Sequence, residues 1–479
     1  METVIGLEVH VELATKSKIF CGCTTEFGGA PNSHVCPVCT GIPGTLPVLN
    51  HSVVEFAVRA GLALNCQINQ FNQFDRKNYF YPDLPKAYQV SQLYLPICHD
   101  GFLPIEANGT QKNIGIHEIH MEEDAGKLIH DAFDDCTWID YNRCGVPLIE
   151  IVSEPDFRNA DEVIAYLEKL RETLLFLGVS DCKLQEGSMR ADINLSVRPS
   201  ADHPLGIRTE MKNMNSFKAI HRAILSESER QANVIEAGGQ VVQETRRWDD
   251  NKGSSFSMRS KENAQDYRYF PEPDLLPIEI GEDWLAGLKN TMPELAESKR
   301  NRFVGEMGIT EYDAAVITTE KKLSDLFEQT CAGGADPKET ANLITGDIMR
   351  LMNDTGTLPE NLTLDSAKLA ALIGLVQSGT INRNAGKAVL KELFEHDIDP
   401  LTYVKEQGLA MIQDDSLIET VIDKMLTDNP KSVEDYQSGK DKAFGFLVGQ
   451  TMKELRGKGN PQTVNRILKE RLSQSNQMV

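Results

Sequence analysis

The sequence predicts an α+β protein in which a largely antiparallel sheet occupies the N-terminal part and helices make up the rest. Up to about residue 290, short β-type runs alternate with Gly and Pro turns and occasional helices, without a regular βαβ rhythm. After the Pro-rich segment 271–277, helical patterns follow one another. A chain of 479 residues is too long for one hydrophobic core, so we expect domains at 1–290, 291–405 and 406–479.

The overall composition indicates a soluble globular protein. Hydrophobic residues make up 41% and charged residues 25% of the chain, which is ordinary for globular domains. The N-terminus lacks a basic segment followed by an apolar one, and no apolar run approaches the roughly 18 residues that span a bilayer. We therefore expect a cytoplasmic protein without a membrane partner. The net charge of −22 argues against indiscriminate polyanion binding, because phosphate contacts need a basic surface.

The first predicted strand carries an unusual set of side chains. Residues Gly6–Glu12 alternate apolar and polar side chains with a period of two, as in a strand with one buried face. Alternation places Glu8, His10 and Glu12 on one face, along about 13 Å of strand. Carboxylates this close repel each other unless a cation lies among them, and a divalent metal accepts such ligands. An exposed edge strand with solvated charges would show the same pattern, so both interpretations stay open.

Periodicity and capping signals predict further elements of the N-terminal part. The clearest helix covers 159–177, where apolar residues recur at helical spacing. Asn159 provides its N-cap, Glu162 the third position of a capping box, and Gly178 the exit. The other predicted elements are a helix from Phe217 to Leu225 and strands at Leu148–Val152 and Asp192–Val197.

Four of the ten cysteines are closely placed. They form the pairs Cys21-x-Cys23 and Cys36-x-x-Cys39, separated by a short loop. Two pairs of thiolates fit a tetrahedral zinc site, although the first pair is tighter than the usual spacing. A cytosolic chain argues against a disulfide framework, so we expect structural zinc here. The remaining cysteines are expected to be small core residues, namely Cys66, Cys98, Cys136, Cys144, Cys182 and Cys331.

Two further carboxylate-rich segments accompany the first strand. His120–Lys127 contains three consecutive acidic residues, and Glu150 interrupts an otherwise apolar strand. Alternation puts Leu148, Glu150 and Val152 on one face, which argues against a fully solvated face. With the first strand, these groups suggest a Mg²⁺ site built from strand carboxylates, and such sites most often handle nucleotide phosphates.

The sequence contains neither of the common phosphate-binding glycine loops. There is no Gly-x-x-x-x-Gly-Lys-Ser/Thr, and no Gly-x-Gly-x-x-Gly follows a strand. Phosphate binding would then need side-chain cations, which Arg76 and Lys77 supply beside Tyr79, Phe80 and Tyr81. This segment is a candidate phosphate-and-base pocket, and an ordinary surface loop with aromatic packing is the alternative.

The C-terminal half is predicted to be helical and to end in a basic segment. Helical patterns cover, for example, Ala367–Val376 and Asn384–Phe394, and a last amphipathic helix includes Val464–Leu472. From Lys440 to the end, eight Lys and Arg residues stand against three Asp and Glu residues, a local charge of +5. A basic tail on an acidic body suits the binding of one nucleic acid in one orientation. A solvated helix face is the alternative.

Seven long, rare motifs are distributed over essentially the whole chain, namely Val4–His10, Asp75–Pro82, His120–Gly126, Pro147–Val152, Lys212–Phe217, Tyr267–Asp274 and Gly445–Gln450. These motifs resemble the GatB family, the B subunits of tRNA-dependent amidotransferases that also contain A and C subunits. The resemblance implies an N-terminal α+β cradle, likened to glutamine synthetase, followed by a helical domain and a helical tail that touches tRNA.

The resemblance implies a two-step reaction carried out in a heterotrimer. ATP first phosphorylates the side-chain carboxylate of glutamyl-tRNA(Gln) or aspartyl-tRNA(Asn), and ammonia from the A subunit then displaces the phosphate. Mg²⁺ and Lys or Arg side chains offset the repulsion between the carboxylate and the γ-phosphate. Either mischarged tRNA, or both, fits this reaction.

The resemblance also implies roles for individual residues. The metal ligands would be His10, Glu123 and Glu150, and Glu122 or Asp124 could replace Glu123 because neighbours on a strand alternate faces. Combined with the residue patterns, the candidate sets are Glu8, His10, Lys77, Glu123 and Glu150 for catalysis; Glu12, Arg76, Lys77 and Tyr79 for ATP; Cys21, Cys23, Cys36 and Cys39 for structural zinc; and Lys453, Arg456, Lys458, Arg466 and Lys469 for RNA.

Two other interpretations are weaker. The archaeal relative, the E subunit, acts on glutamyl-tRNA with a different glutaminase partner and carries an inserted domain for which this chain has no room. A non-catalytic, zinc-containing tRNA-binding scaffold would gain nothing from clustered acids near an acidic RNA.

Overall fold

A large, mostly antiparallel sheet dominates the N-terminal half of the protein. The computed structural model describes residues 1–131, 135–260, 267–412, 414–455 and 458–475. These residues form two compact units, Met1–Ala296 and Glu297–Val479. The predicted α+β class, with strands concentrated in the first unit and helices in the second, is confirmed.

The central position of β1 decides between the two interpretations of residues 6–12. In chain order the strands are β1 (Glu2–Glu12), β2 (Gln67–Ile68), β3 (Phe71–Asn72), β4 (Asp75–Asn78), β5 (Tyr88–Ser91), β6 (Cys98–Ala107), β7 (Thr110–Glu123), β8 (Lys127–His130), β9 (Thr137–Asp140), β10 (Pro147–Ser153), β11 (Met189–Arg198), β12 (Thr209–Lys212), β13 (Glu244–Asp249), β14 (Ser254–Ser260), β15 (Phe270–Pro271) and β16 (Ile278–Glu279). The described strands of the large sheet follow the order β14-β13-β12-β11-β1-β10-β7-β6-β2. Because β1 is paired on both sides, the edge-strand interpretation is wrong.

Pairing in the large sheet is antiparallel except between β12 and β13, which run parallel. The remaining described strands form small sheets with the orders β15-β4-β5, β16-β3 and β8-β9. Strand β4 carries Arg76 and Lys77, so the predicted phosphate-binding segment begins as a strand rather than as a loop.

The two faces of the large sheet differ as the alternation in β1 predicts. Leu7, Val9 and Val11 are at most 1% exposed, whereas Glu8, His10 and Glu12 between them are half-buried. The apolar face packs with the helices of this unit into one hydrophobic core. These helices are α1 (His51–Ala63), α2 (Ala160–Leu177), α3 (Phe217–Glu236) and α4 (Glu282–Asn290).

Helix α2 begins and ends where its capping signals predict. The Asn159 side chain accepts a hydrogen bond from the backbone N–H of Glu162 at 2.9 Å, which satisfies a donor that the helix itself cannot pair. Gly178 ends the helix with a φ of 71°, a left-handed conformation that favours glycine. The predicted helix at Phe217 and the predicted strands at 148–152 and 192–197 are likewise confirmed as α3, β10 and β11.

The second unit is helical in its described residues. Its described α-helices are α5 (Ala296–Gly305), α6 (Glu311–Ile317), α7 (Lys321–Ala332), α8 (Pro337–Asn342), α9 (Met349–Thr355), α10 (Ser366–Gln377), α11 (Arg383–Glu395), α12 (Pro400–Glu406), α13 (Asp415–Asp428), α14 (Pro430–Gln437), α15 (Asp441–Glu454) and α16 (Pro461–Ser475). A π-helix at Leu343–Ile348 joins α8 to α9, and a 3₁₀-helix lies at Pro359–Asn361. One hydrophobic cluster spans Phe303 to Val404, and a separate one spans Ile418 to Leu472. The division into three domains stays a prediction. No described helix is long and apolar enough to cross a membrane.

Candidate active site on the polar face of the large sheet

Strand pairing brings chemically active side chains together on the face of the large sheet that carries Glu8, His10 and Glu12, here called the polar face. In the β1–β10 pair, His10 lies opposite Glu150, and in the β10–β7 pair Glu150 lies opposite His120. Directly opposed residues project from the same face of a sheet. The alternation visible in β1 therefore extends to its neighbours and collects acidic and basic groups in one place.

His10, Glu122 and Glu150 form the centre of the polar face. His10 Nε2 lies 3.3 Å from Glu150 Oε2 and 3.6 Å from Glu122 Oε1, and one ligand atom from each residue lies within 4.8 Å of the others. Burial and the charge of Glu150 raise the pKa of Glu122. Burial alone would also raise the pKa of Glu150, but the nearby imidazoles outweigh it and hold that pKa well below its usual range. Two crowded, nearly buried carboxylates favour a cation at this point.

Glu122, and not Glu123, is the acidic residue of β7 beside His10. Glu123 projects from the other side of the strand, where it accepts a hydrogen bond from the backbone N–H of Val90 at 2.9 Å. Its carboxylate also pairs with Lys86 at 2.5 Å. The sequence alone did not decide which of the three consecutive acids binds the metal. The family resemblance implied Glu123, with Glu122 or Asp124 as alternatives. Alternation along β7 instead gives Glu123 a different environment from that of the other proposed ligands.

The third consecutive acid, Asp124, belongs to a cationic end of the polar face. It pairs with Arg143 at 3.2 Å and with Arg190 at 3.0 Å. Burial and the charge of Asp124 raise the pKa of the neighbouring Glu12 to about 7, although both arginines oppose the shift. Glu12, Arg143 and Arg190 line a cavity of about 490 Å³. Glu12 thus lies two residues beyond His10, among groups that can hold an anion.

Glu8 belongs to a second acidic group on the polar face. Glu8, Asp192 and Glu210 each place one carboxylate oxygen within 4.8 Å of the others. Lys212 pairs with Asp192 and, at 2.8 Å, with Glu210, and Asn194 Nδ2 donates to Glu8 Oε1 at 2.8 Å. Asp192 and Glu210 were not predicted from the sequence as members of a site. Alternation in the predicted strand 192–197 was the available signal, but the partner strand was not known.

His120 is a further member of the site, and in the sequence it stands out only as part of the motif 120–126. Its Nδ1 lies 3.2 Å from Glu118 Oε1 and its Nε2 lies 3.0 Å from Glu150 Oε2. Burial disfavours the charged imidazole, but the neighbouring carboxylates outweigh it and raise the pKa of His120 to about 10. A doubly protonated His120 ring can donate hydrogen bonds to both Glu118 and Glu150. Glu150 on β10 is then held from β7 by His120, while His10 contacts it from β1. Period-two spacing of Glu118, His120 and Glu122 was the signal for this residue.

Arg76 and Lys77 project from opposite sides of β4 and do not form one pocket. Arg76 makes two hydrogen bonds to Glu272, at 2.7 and 2.8 Å, and one to Asp274 at 3.0 Å. Its guanidinium also lies over the Tyr88 ring, 4.2 Å from the centroid. Arg76 lines a cavity of about 260 Å³ that includes Lys86, Glu123 and Cys39. Its charge is therefore already engaged by two carboxylates.

Lys77 and Tyr79 approach the polar face beside Glu122. Lys77 Nζ lies 5.2 Å from the centroid of the Tyr267 ring, and this ring makes edge-to-face contacts with Tyr79 and Tyr269. The positive charge of Lys77 acts on Glu122, where it opposes the rise in pKa. Burial, with the charge of Glu122, raises the pKa of both Tyr79 and Tyr269. The aromatic cluster and one cation thus border the His10 group.

The four clustered cysteines lie together as their spacing predicts. One Sγ atom from each of Cys21, Cys23, Cys36 and Cys39 lies within 4.8 Å of the others. Hydrogen bonding from Cys21 and the charge of Lys18 lower the pKa of Cys39 to about 4, against the effect of burial. Four sulfur donors at this separation fit a tetrahedral zinc ion. Of the other cysteines, Cys66, Cys98, Cys144 and Cys182 are buried as expected, Cys331 is half-buried, and Cys136 is exposed, contrary to expectation.

Two arginines of the basic C-terminal segment, one of them the candidate RNA-binding residue Arg466, have acidic neighbours that the local charge count omitted. Arg466 pairs with Asp415 at 2.8 Å, and Arg471 pairs with Glu419 at 2.9 Å. Both acids belong to α13, which precedes the segment counted as basic. Among the other candidates, Lys453 and Lys469 are exposed, Lys458 is half-buried, and Arg456 lies outside the described residues.

Comparisons with known proteins agree along nearly the whole chain. A family model described as the GatB/GatE catalytic domain matches residues 3–286, and one described as the GatB domain matches residues 325–472. The B subunit of the aspartyl/glutamyl-tRNA(Asn/Gln) amidotransferase of Lachnoclostridium phytofermentans is 62% identical over 474 residues, which cover 99% of both chains. Proteins of the same name from Agathobacter rectalis and Caldicellulosiruptor bescii are 58% and 56% identical, and each alignment covers 98% of this chain and 99% of the relative.

Proposed function

The chain belongs to the GatB family, and on this premise we propose that it is the B subunit of an aspartyl/glutamyl-tRNA(Asn/Gln) amidotransferase. In this role it uses ATP to activate the side-chain carboxylate of Glu-tRNA(Gln), Asp-tRNA(Asn) or both, and ammonia from the glutaminase, the A subunit, completes the amide. The observation that carries the proposal is the His10–Glu122–Glu150 group, which lies within the region matched by the catalytic-domain model.

The order of the two steps follows from carboxylate chemistry. A carboxylate is a poor acyl donor because it offers no good leaving group. Transfer of the γ-phosphoryl group of ATP to a side-chain oxygen releases ADP and forms an acyl phosphate. Ammonia then attacks the acyl carbon, and inorganic phosphate leaves as the C–N bond forms. Negatively charged oxygens approach each other in the first step, so cationic groups must offset their repulsion.

The residues of the polar face fit a bound Mg²⁺ ion. Glu122 and Glu150 offer the oxygen ligands that Mg²⁺ prefers, and His10 adds a nitrogen. A Mg²⁺ ion held here would neutralise charge on the γ-phosphate and the substrate carboxylate. Lys77, whose charge already acts on Glu122, is assigned to contact a phosphate oxygen. Tyr79 borders the same space through its aromatic cluster.

We assign the four clustered cysteines to one structural zinc ion. Four thiolates occupy every position of a tetrahedral ion and leave none for a water molecule, which hydrolytic zinc requires. This assignment concerns folding of the N-terminal unit and not the amidation chemistry.

The partners follow from the same proposal. The relatives are named as a subunit, which supports assembly with further amidotransferase subunits, here taken to be the A and C subunits of a heterotrimer. We assign the mischarged tRNA to two parts of the chain. The aminoacylated end would reach the polar face, and the exposed Lys453 and Lys469 would contact the tRNA body, with Lys458, Arg466 and Arg456 as further candidates.

Substituting two neighbours in the sequence tests the assignment of the site. Glu122→Gln and Glu123→Gln each remove one negative charge from the end of β7, but only Glu122 lies beside His10 and Glu150. We expect E122Q to lower tRNA-dependent ATP cleavage at least about 100-fold and to raise the Mg²⁺ concentration needed for half-maximal rate. E123Q should leave that Mg²⁺ dependence unchanged.

Three readouts separate the possible failures of this test. Glutamine hydrolysis by the glutaminase partner, measured in the assembled complex, should persist in E122Q at its basal rate. An unchanged Mg²⁺ dependence in E122Q would refute the assignment of Glu122 as a metal ligand. If the intact complex cleaved no ATP in the presence of mischarged tRNA, the proposed function itself would be wrong.

A further inference from the structure

The last residues of β7 have a strand neighbour on one edge only. On the β10 side the ladder continues as far as Glu123, whereas on the other edge the pairing with β6 ends at Ile119, opposite Cys98. No other described strand continues the ladder on that edge. The backbone groups of residues 121–123 that point away from β10 therefore need other partners. This short segment carries Glu122.

Two glutamine side chains supply the missing partners. Gln92 Oε1 accepts a hydrogen bond from the backbone N–H of Met121 at 3.0 Å, and Gln89 Nε2 donates to the carbonyl oxygen of Glu123 at 2.9 Å. Gln89 lies in β5 and Gln92 follows it directly, and β5 pairs with β4 in a separate small sheet. Both side chains are nearly buried. Side-chain amides thus take the place of the strand that β6 no longer provides.

A hydrogen-bond network behind Gln92 fixes which end of its amide faces β7. Gln92 Nε2 donates to Asn72 Oδ1 at 2.9 Å, and Asn72 Nδ2 donates to the carbonyl oxygen of Asn69 at 3.2 Å. Donors and acceptors alternate along this chain, so Gln92 presents its oxygen to the N–H of Met121. Because Gln92 and Asn72 are both buried, water cannot replace these hydrogen bonds. The network therefore holds the backbone of β7 at a defined position.

The position of Met121 determines that of Glu122. Met121 is fully buried in the hydrophobic core, so the next residue of the strand projects from the opposite face. There Glu122 Oε1 lies 3.6 Å from His10 Nε2. A strand end that is held on one edge only opens more readily. Loss of the hydrogen bond to Met121 would then move the Glu122 carboxylate relative to Glu150, and a metal site weakens when a ligand is loosely held.

We propose that Gln92 is a positioning residue of the candidate active site, which keeps Glu122 in place for a bound divalent cation by holding the backbone of Met121. The inference rests on the proposed function, because that function requires the Mg²⁺ ion. Gln92 acts through the strand and not by contact with the metal. Its loss should therefore appear first in the affinity for the cation.

The test measures metal binding itself. Mn²⁺, which like Mg²⁺ suits carboxylate ligands, is titrated into the assembled complex without nucleotide or tRNA and followed by electron paramagnetic resonance. The affinity that counts is that of the site which E122Q weakens, because the second acidic group, that of Glu8, could hold another ion. Gln92→Met removes the amide at nearly constant volume. Thr173→Val is the matched control, since it removes a hydrogen bond of 2.8 Å from a buried side chain of α2 in the same unit.

We expect Q92M to weaken Mn²⁺ binding at this site at least about tenfold and to raise the Mg²⁺ concentration for half-maximal ATP cleavage in parallel. T173V should change neither quantity, even where it lowers the thermal midpoint. In the E122Q background, Q92M should cause no further loss of Mn²⁺ affinity, because the two substitutions act on the same ligand.

Two results would overturn the inference. A lowered thermal midpoint of Q92M with unchanged Mn²⁺ affinity would make Gln92 only structural, and an equal loss of affinity in the E122Q background would show that it does not act through Glu122. If Q92M does not assemble, Asn72→Leu takes its place, because the side chain of Asn72 orients Gln92. Unchanged Mn²⁺ binding in N72L would then refute the role of Gln92. If the unaltered complex binds Mn²⁺ but cleaves no ATP with mischarged tRNA, the proposed function fails separately.

Discussion

At the scale of single residues, the buried carboxylate of Glu227 on α3 contacts a strand that carries part of the site. Its carboxylate accepts hydrogen bonds from Thr209, Arg230 and Gln231 at 2.6–2.9 Å. Thr209 begins β12, the strand that carries Glu210. Burial alone would raise the pKa of Glu227, but the hydrogen bonds from Arg230 and Gln231 outweigh it and lower that pKa. A paired carboxylate on α3 thus holds the strand that bears part of the second acidic group.

We expect Glu227→Gln to lower the free energy of unfolding by about 1–3 kcal/mol at neutral pH, because an amide cannot form an ion pair with Arg230 and has only one acceptor oxygen. The folded-state pKa of Glu227 is lowered, so its contribution is fully present above the unfolded-state pKa. It is lost as the pH falls through the folded-state pKa. Urea unfolding at neutral and acidic pH should therefore show a gap between the two proteins that shrinks in acid. Glu229→Gln, an exposed position on the same helix, should show no gap, and an equal stability of E227Q at neutral pH would contradict the argument.

A one-residue step along β7 decides the environment of each acid in the active site. Glu122 faces His10, and its neighbour Glu123 faces Lys86. Glu8, His10 and Glu12 could be assigned to one face from the sequence because the period-two pattern in β1 is clear. Which of the three consecutive acids of β7 joins them could not be predicted, because a run of like residues carries no information about the phase of alternation.

At the scale of elements, local sequence signals were sufficient to predict individual helices and strands, but not which strands pair with each other. Helix α2 carries its start and stop signals within its own sequence, so both ends could be predicted. The site instead depends on β1 lying between β10 and β11, with His120 two strands away. Pairing over more than a hundred residues leaves no local trace in a single sequence. For that reason Asp192, which lies opposite Glu8, was missed, while His10 and Glu150 were found from the patterns of their own strands.

The cysteine-bearing segment is the element whose stability should depend most on a metal. We expect metal analysis of the purified protein to find about one zinc per chain. Cys36→Ser removes one of the four sulfur ligands, so the zinc content and the thermal midpoint should both fall, while ATP cleavage per folded molecule changes little. Cys136→Ser is the control, because Cys136 is exposed and outside the cluster. A zinc-free preparation with the full thermal midpoint would contradict the structural role.

At the scale of the whole molecule, charge of both signs is distributed within each unit. The chain carries a net charge of −22, and its polar face gathers carboxylates that a cation must offset before a polyanion can approach. The C-terminal helices were expected to be basic from their own sequence. Asp415 and Glu419 of α13 pair with Arg466 and Arg471, so part of that charge is neutralised by a neighbouring helix. The exposed Lys453 and Lys469 are then the stronger candidates for contacts with tRNA.

Charge reversal tests this role better than truncation does. Deleting the chain after Gly439 would remove α15 and α16, whose Leu447 and Ile467 pack in one cluster with Ile418 of α13, so the remaining helices would lose their core. The double variant Lys453→Glu, Lys469→Glu changes only exposed side chains. We expect it to raise the KM for mischarged tRNA and to reduce the slope of log affinity against log salt by about 1 for each lysine–phosphate pair that the substitutions remove.

The maximal rate of amidation from ammonia should persist in this double variant at saturating tRNA, because the groups around His10 and Glu150 are unchanged. Lys387→Glu, Lys391→Glu is the matched control. It reverses two charges on α11, where both lysines are more than half exposed, at 57% and 61%. Salt dependence can distinguish a direct contact from a general charge effect, since only the removal of a direct lysine–phosphate pair lowers the number of counterions released on binding. If both double variants reduced the slope of log tRNA affinity against log salt equally, the C-terminal lysines would contribute only to the overall electrostatic potential of the protein. The direct phosphate contacts to tRNA would then have to lie elsewhere in the chain.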